Sequence, residues 1–150
     1  MTTDDLPEYL VWANGRAAAM LRAAPGEARE AGVPILAHLL AVEQIWAGRL
    51  TGAPAPAAPM RPDWTLEHCE ALIPGNAALY RDILADPAAP TEVRYRSFQG
   101  EAFVSARADI LGQVLLHGTY HRGQISQEVR RSGGESLDTD YILFRRERGG

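Results

Sequence analysis

Apolar residues recur at helical spacing along four stretches of this chain, and polar residues separate them. In the first stretch the repeating positions are Leu6, Leu10, Ala13, Ala17 and Leu21. Apolar side chains three and four residues apart fall on one face of a helix, and that face packs against a core. The pattern predicts four amphipathic helices, over about residues 5–24, 34–50, 65–84 and 106–131.

Proline, glycine and serine set the predicted helix boundaries. Pro34 suits the first turn of a helix, so the second helix is predicted to begin there. Pro74 and Gly75 stand in the middle of the third stretch, which predicts a kink or two shorter pieces. Ser105 is the expected N-cap of the fourth helix.

Three segments lack this helical spacing. The stretch TGAPAPAAPMRP, residues 51–62, is typical of an extended connector. The stretch TEVRYRSFQGEAFVSA alternates apolar and polar residues on both sides of Gln99 and Gly100, which predicts a hairpin with a two-residue turn. That turn would pair Tyr95 with Val104. The tail DTDYILFRRER is expected to form a short helix or strand.

These elements predict an all-α fold, a four-helix bundle with a small β-hairpin inserted before the last long helix. The 150 residues fit one domain, residues 1–150. The connector and the hairpin indicate crossover connections, because a simple up-down-up-down bundle has short loops.

Composition argues against several classes of function. The net charge is −4, and the 15 basic residues, all arginine, are scattered. A nucleic-acid surface needs clustered positive charge, so no nucleic-acid partner is expected. The N-terminal MTTDDLPEYL lacks the apolar run of a secretory signal, and no segment is judged apolar enough to cross a bilayer. The single cysteine can form no internal disulfide, and a cytoplasmic protein without a membrane partner is expected.

Three of the four histidines fall on apolar helix faces. His117 and His121 are four residues apart, so both imidazoles lie on one face of the fourth helix. His38 lies on the apolar stripe of the second helix, in line with Ile35 and Val42. Three imidazole ligands leave coordination positions of a metal ion open, as catalytic sites do. The spacing therefore indicates one divalent metal ion held by these three histidines, here called the histidine triad.

Core histidines that are hydrogen-bonded to neighbouring groups are the alternative explanation. The H-x-x-x-H spacing lacks the glutamate of the zinc-protease motif, so spacing alone leaves both explanations open. A pair of imidazoles on one apolar face favours a metal, because buried ring nitrogens need partners.

Other polar residues rank below the triad. Gln124 and Glu128 lie near the histidine face and could orient a ligand or carry a proton, although an ordinary helix-end role is favoured. Arg122 is expected to bridge to a carboxylate such as Asp140. Glu43 is rotated off the ligand face and is not assigned a role. No catalytic or cofactor-binding residue is assigned.

Three further side chains were considered for the core or for chemistry. Trp12 and Trp46 are expected to be core residues. Cys69 adjoins a histidine, but adjacent residues on a helix point apart, so no nucleophile pair is expected.

Sequence segments across most of the chain carry a further pattern. HGTYHRGQI on the fourth helix is followed at a distance by DTDYILF. YLVWAN lies on the first helix, HLLAVEQIWAGRL on the second, and RSFQGEAFVSA at the hairpin. These segments, in their order along the chain, resemble the DinB (YfiT-like) family of metal-dependent proteins. In that family the metal histidine of the second helix is followed by a tryptophan two turns on.

The resemblance implies an up-up-down-down bundle, a homodimer, and a metal triad formed by His38, His117 and His121. Zinc or nickel is the favoured ion. Iron and manganese remain alternatives, because imidazole ligands alone do not choose among these metals. The wider superfamily that the chain resembles includes thiol S-transferases, so transfer of a low-molecular-weight thiol to an electrophile is the first functional expectation. A hydrolase that uses metal-bound water and a non-enzymatic, metal-binding stress-response protein are the alternatives.

Overall fold

Five helices and one antiparallel hairpin make up the fold. The structure, a computed structural model, describes residues 5–53 and 59–149. The elements are α1 (Leu6–Ala23), α2 (Gly26–Thr51), α3 (Leu66–Ala85), β1 (Glu92–Arg96), β2 (Ala102–Ala106), α4 (Arg107–Arg131) and α5 (Tyr141–Glu147). The prediction of an all-α fold with a hairpin before the last long helix is confirmed. The tail forms a helix, and part of the predicted connector, residues 54–58, lies outside the described residues.

The α2 helix begins at Gly26, eight residues before the predicted start at Pro34. Pro34 lies inside the helix, although proline removes one backbone hydrogen bond there. The early turns are nevertheless buried, because Ala28 packs in the core and Gly32 lies directly against the Leu21 side chain. Packing against α1 therefore outweighs the local cost of proline.

The α3 helix is continuous, so the prediction of two shorter pieces at Pro74 and Gly75 is wrong. The Thr65 hydroxyl caps the helix by accepting a hydrogen bond from the backbone N–H of His68, at 3.2 Å. Buried residues both before and after the proline hold the helix on the core, among them Cys69 and Tyr80.

The hairpin register differs by one residue from the predicted one. Tyr95 pairs with Phe103, and not with Val104. The loop has three residues, because the Ser97 N–H donates to the Glu101 carbonyl at 2.8 Å. Gly100 ends this loop with φ +88, a left-handed conformation that glycine adopts without strain.

The β2 strand runs directly into α4, which corrects the predicted N-cap. Ser105 belongs to the strand, where its hydroxyl lies 3.1 Å from the Tyr95 hydroxyl. Ala106 occupies the N-cap position and offers no side-chain hydrogen bond.

The core contains two main clusters, one near each end of the bundle. One joins the end of α1, the first half of α2, the start of α3 and the end of α4, through Leu21, Leu36, Cys69 and Val129. The other joins the opposite ends of the same helices, through Leu6, Leu50, Ile83 and Ile110. Helices α1 and α4 therefore run in one direction, and α2 and α3 in the other.

This up-down-down-up order corrects the up-up-down-down order that the resemblance implied. The α1–α2 connection consists of residues 24 and 25 alone, which forces these two helices to be antiparallel. The end of α2 and the start of α3 lie at opposite ends of the bundle, so these two helices run in the same direction. The hairpin joins α3 and α4 at one end, so the only crossover between the four long helices is the α2–α3 connection.

The α2 helix is long and apolar enough to cross a membrane by length and composition, contrary to the expectation from the sequence. Central helices of soluble proteins meet the same criterion. In this bundle 61% of its most apolar window is buried against other helices, and this core position accounts for its apolar character.

Candidate metal centre

The fold brings the three predicted histidines together. His38 comes from α2, and His117 and His121 come from α4. One ring nitrogen from each side chain lies within 4.8 Å of those of the other two. His38 is buried, while the two α4 histidines are half-buried, so the cluster is most open on the α4 side.

Helix geometry sets the spacing of the two α4 histidines. One turn separates them, and their Nε2 atoms are 3.1 Å apart. Two nitrogen ligands about 2.05 Å from one tetrahedral ion lie about 3.3 Å apart. The His38 ring centroid lies 5.1 Å from that of His117 and 4.8 Å from that of His121, so the third imidazole faces the same space.

Hydrogen bonds at Nδ1 fix two of the three rings. His38 Nδ1 lies 2.7 Å from the Met60 carbonyl oxygen, which can only accept a hydrogen bond. His121 Nδ1 lies 2.7 Å from Oε1 of Gln124. A proton on Nδ1 leaves Nε2 with a free lone pair, and such outer partners are typical of histidines that bind metals.

Burial favours the uncharged form of the two α4 histidines. Desolvation, together with the nearby rings of His121 and His38, lowers the pKa of His117 to about 4. Burial also lowers the pKa of His121, although its hydrogen bond to Gln124 opposes this. Neutral imidazoles are the form that binds metal ions, so near neutral pH these two rings need not lose a proton before binding.

The other residues predicted near the site have different positions. Gln124 contacts the triad, as described, whereas Glu128 pairs with Arg131 at 3.3 Å on the helix surface. Tyr120, unmentioned in the sequence predictions, packs its ring edge against His121 with the centroids 5.1 Å apart. The sequence signal for Tyr120 was its place inside HGTYHRGQI, next to a ligand candidate.

The remaining side chains singled out from the sequence lie apart from the triad. Cys69 is buried in the core, and desolvation raises the pKa of its thiol to about 11, so it is not a nucleophile. Trp12 and Trp46 were predicted to be core residues, but both are half-buried. Trp12 donates to Glu147, and Trp46 packs against Tyr95.

The predicted bridge from Arg122 to a carboxylate such as Asp140 is not found among the described residues. The Arg122 guanidinium is buried and donates to neutral oxygens, Oδ1 of Asn14 at 3.0 Å and the Tyr9 hydroxyl at 3.1 Å. The Tyr9 hydroxyl in turn donates to the Thr139 carbonyl, which ties the segment before α5 to the bundle.

Glu43 is a buried carboxylate that sequence reasoning left without a role. Asn14 and Asn76 donate to its two oxygens, at 2.8 and 2.9 Å. Burial raises its pKa, and these two hydrogen bonds and the charge of Arg122 oppose the rise. Asn14 thus joins Glu43 to Arg122 and links α1, α2 and α4. The sequence did carry a signal for this network. Asn14, Glu43 and Arg122 each interrupt the apolar face of a helix.

Fold and site together define the class: a four-helix bundle whose second and fourth helices contribute a cluster of three histidines compatible with metal binding. The chain belongs to the DinB family, since the sequence model of that family matches residues 1–149. The resemblance noted in the sequence is thereby confirmed.

One curated relative is a short match. The "Protein DinB" of Bacillus subtilis (strain 168) is 46% identical over 37 residues, 25% of this chain and 22% of that protein. The match therefore spans about a fifth of the relative's length. No solved structure matches this chain.

Proposed function

We propose that His38, His117 and His121 hold one divalent transition metal ion, and that the protein is a metal-dependent transferase acting on a low-molecular-weight thiol and an electrophile. The observation that carries this proposal is the cluster of three imidazole nitrogens within 4.8 Å of one another. Among the described residues the cluster includes no fourth histidine, cysteine or carboxylate. A set of three protein ligands is typical of sites that leave a position for a substrate.

Zinc or nickel is the proposed ion, with iron or manganese as alternatives, and the imidazole ligands by themselves do not distinguish these metals. A bound ion of this kind would lower the pKa of a coordinating thiol and present it as a thiolate. The chain supplies no such thiol itself, because Cys69 is buried on α3 with a raised pKa. The nucleophile therefore has to be an external molecule.

Transfer is favoured over hydrolysis by the groups that surround the triad. Hydrolysis is commonly assisted by a residue that accepts a proton from the attacking water. The side chain hydrogen-bonded to His121 is the neutral amide of Gln124, and the carboxylate of Glu128 is engaged by Arg131. A thiol with a lowered pKa needs no such acceptor.

Elemental analysis of the purified, untagged protein tests the metal site. We expect near one equivalent of a transition metal in the wild type and none in the His38→Ala/His117→Ala/His121→Ala variant. The single His121→Ala variant should also lose the metal and keep its helical circular dichroism, because the bundle is stabilised mainly by apolar packing. Wild-type metal content in the triple variant would refute the assignment of the ligands.

Turnover is tested separately on the metal-loaded protein. Loss of free thiol should accompany loss of an added electrophile, and the triple variant should show neither. Ester or amide cleavage without thiol would identify a hydrolase, and a bound metal without any turnover would favour a non-enzymatic, metal-binding protein.

A further inference from the structure

A cavity lies beside the first half of α4, whereas the triad lies at the middle turns of that helix. Its volume is about 570 Å³, within the range of about 300–1,000 Å³ that is usual for small-molecule sites. It lies between the start of α1, the segment of residues 89–91 and the first turns of α4. The walls are mainly aliphatic, from Leu6, Ala89, Pro90, Leu111 and Leu115.

The cavity and the triad occupy different faces of α4. Leu111 and Leu115 point toward the cavity, whereas His117 and His121 point toward α2. At 100° per residue, Leu115 and His117 are about 200° apart around the helix axis. A ligand in the cavity would therefore leave the triad accessible.

One charged residue, Arg107, lines the cavity. Its Nη2 donates to the Ile83 carbonyl oxygen, which positions the guanidinium. Its Nε is buried and lacks a hydrogen-bond partner in the part of the chain that the structure describes. Within residues 5–53 and 59–149 no carboxylate forms an ion pair with it.

We propose that this cavity binds a small organic molecule with a carboxylate at one end of an aliphatic body. The guanidinium of Arg107 would pair with the carboxylate, a combination for which arginine geometry is well suited. The aliphatic walls would take the rest of the molecule out of water. Cationic ligands are disfavoured because, among the described residues that line the cavity, the one charged side chain is positive.

Gly112 offers a direct way to block the cavity. It lines the wall, and a Cβ added there would meet no other atom within 4 Å. The Cβ of a leucine at this position would therefore meet no other atom, and the rest of the side chain would take up ligand space. Gly123, exposed on the same helix and equally unobstructed, is the matched control, because it is not among the lining residues.

Titration calorimetry with octanoate and octylamine tests the proposal. Wild type and Gly123→Leu should bind one octanoate per chain, and octylamine at least about 10-fold more weakly. Gly112→Leu should lose octanoate binding, and Arg107→Gln should weaken it by about 10-fold or more, the usual effect of losing a charge-assisted hydrogen bond. The His38→Ala/His117→Ala/His121→Ala variant should bind octanoate like the wild type, so this test is independent of the metal site.

Three results would overturn the proposal. They are no saturable binding of octanoate to the wild type, equal binding of octylamine, and unchanged octanoate binding in Gly112→Leu. If the wild type were a dimer in light scattering and Gly112→Leu a monomer, the face would be a protein interface, and the proposal would also fail.

Discussion

At the scale of single residues, two acceptor oxygens orient two of the three imidazole rings of the triad. The Met60 carbonyl holds the ring of His38, and Gln124 holds that of His121. Gln124 could be suspected from the sequence, since it follows His121 by three residues on one helix. Met60 could not, because it lies in the connector, 22 residues from its partner.

Replacing Gln124 with alanine should weaken metal binding without unfolding the protein. Loss of an outer hydrogen bond to a metal-binding histidine typically lowers metal affinity by about 10–100-fold. Competition with a chromogenic chelator would measure the dissociation constant, and Gln127→Ala, at an exposed position on the same helix, is the control. Equal affinity in the two variants would show that Gln124 does not support the triad.

The buried carboxylate of Glu43 should make stability depend on pH. Burial raises its pKa above 4.5 in the folded state, so the native protein retains a proton that the unfolded chain has lost. The contribution of Glu43 is thus fully present below pH 4.5 and is lost as pH rises through the raised pKa.

The comparison with Glu43→Gln isolates this effect, because all other titratable residues are the same in both proteins. Urea unfolding of metal-free samples from about pH 4 to about pH 8 gives the two free-energy curves. The wild-type curve should fall relative to that of the variant as pH rises. Parallel curves over the whole range would argue against a raised pKa.

At the scale of elements, tertiary packing overrides local breakers in two helices. Pro34 lies inside α2 and Pro74 inside α3, where sequence rules predicted a start and a break. Both helices bury residues before and after the proline, and the apolar area removed from water compensates for the missing hydrogen bond. The hairpin register likewise differs from the predicted one because the loop has three residues. The alternation of apolar and polar residues does not distinguish a three-residue loop from a two-residue loop.

Two glycine substitutions should change stability in opposite directions. Gly75 is helical within α3 with open space at its Cβ position, so Gly75→Ala should stabilise the protein by about 0.5–1 kcal/mol. Gly100 has φ +88, so Gly100→Ala should destabilise it by about 1–2 kcal/mol. Urea denaturation measures both, and destabilisation by Gly75→Ala would contradict a continuous α3.

At the scale of the whole molecule, the helix directions follow from how α2 is connected to its neighbours. The two-residue connection makes α1 and α2 antiparallel, and α3 starts at the opposite end of the bundle from the end of α2. The resulting order places α2 beside α4 with opposite direction, and their middle turns meet at the triad. Polar residues that link α1, α2 and α4 through Asn14 lie in the same interior.

The association state is a prediction that the resemblance supplies. We expect a homodimer, so light scattering on the purified protein should give twice the chain mass of 16.3 kDa. Leu116 and Tyr120, exposed at 71% and 65% and one turn apart on α4, are apolar side chains that such an interface could cover. A mass of one chain across a range of protein concentrations would refute the dimer.

The pattern of residues along the chain was enough to predict the four amphipathic helices, the hairpin before the last of them and the three histidines that meet. The helices and the hairpin follow from periodicity, and the pairing of His117 with His121 follows from spacing within one helix, which are local properties of the chain. His38 was predicted from its place on an apolar helix face and from the family resemblance. Four features could be seen only in the folded protein: the helix directions, the early start of α2, the partners of Arg122 and the burial of Glu43. Each of these depends on which distant surfaces meet, and the free energy of burial at such contacts exceeds the local preferences that a sequence pattern reports.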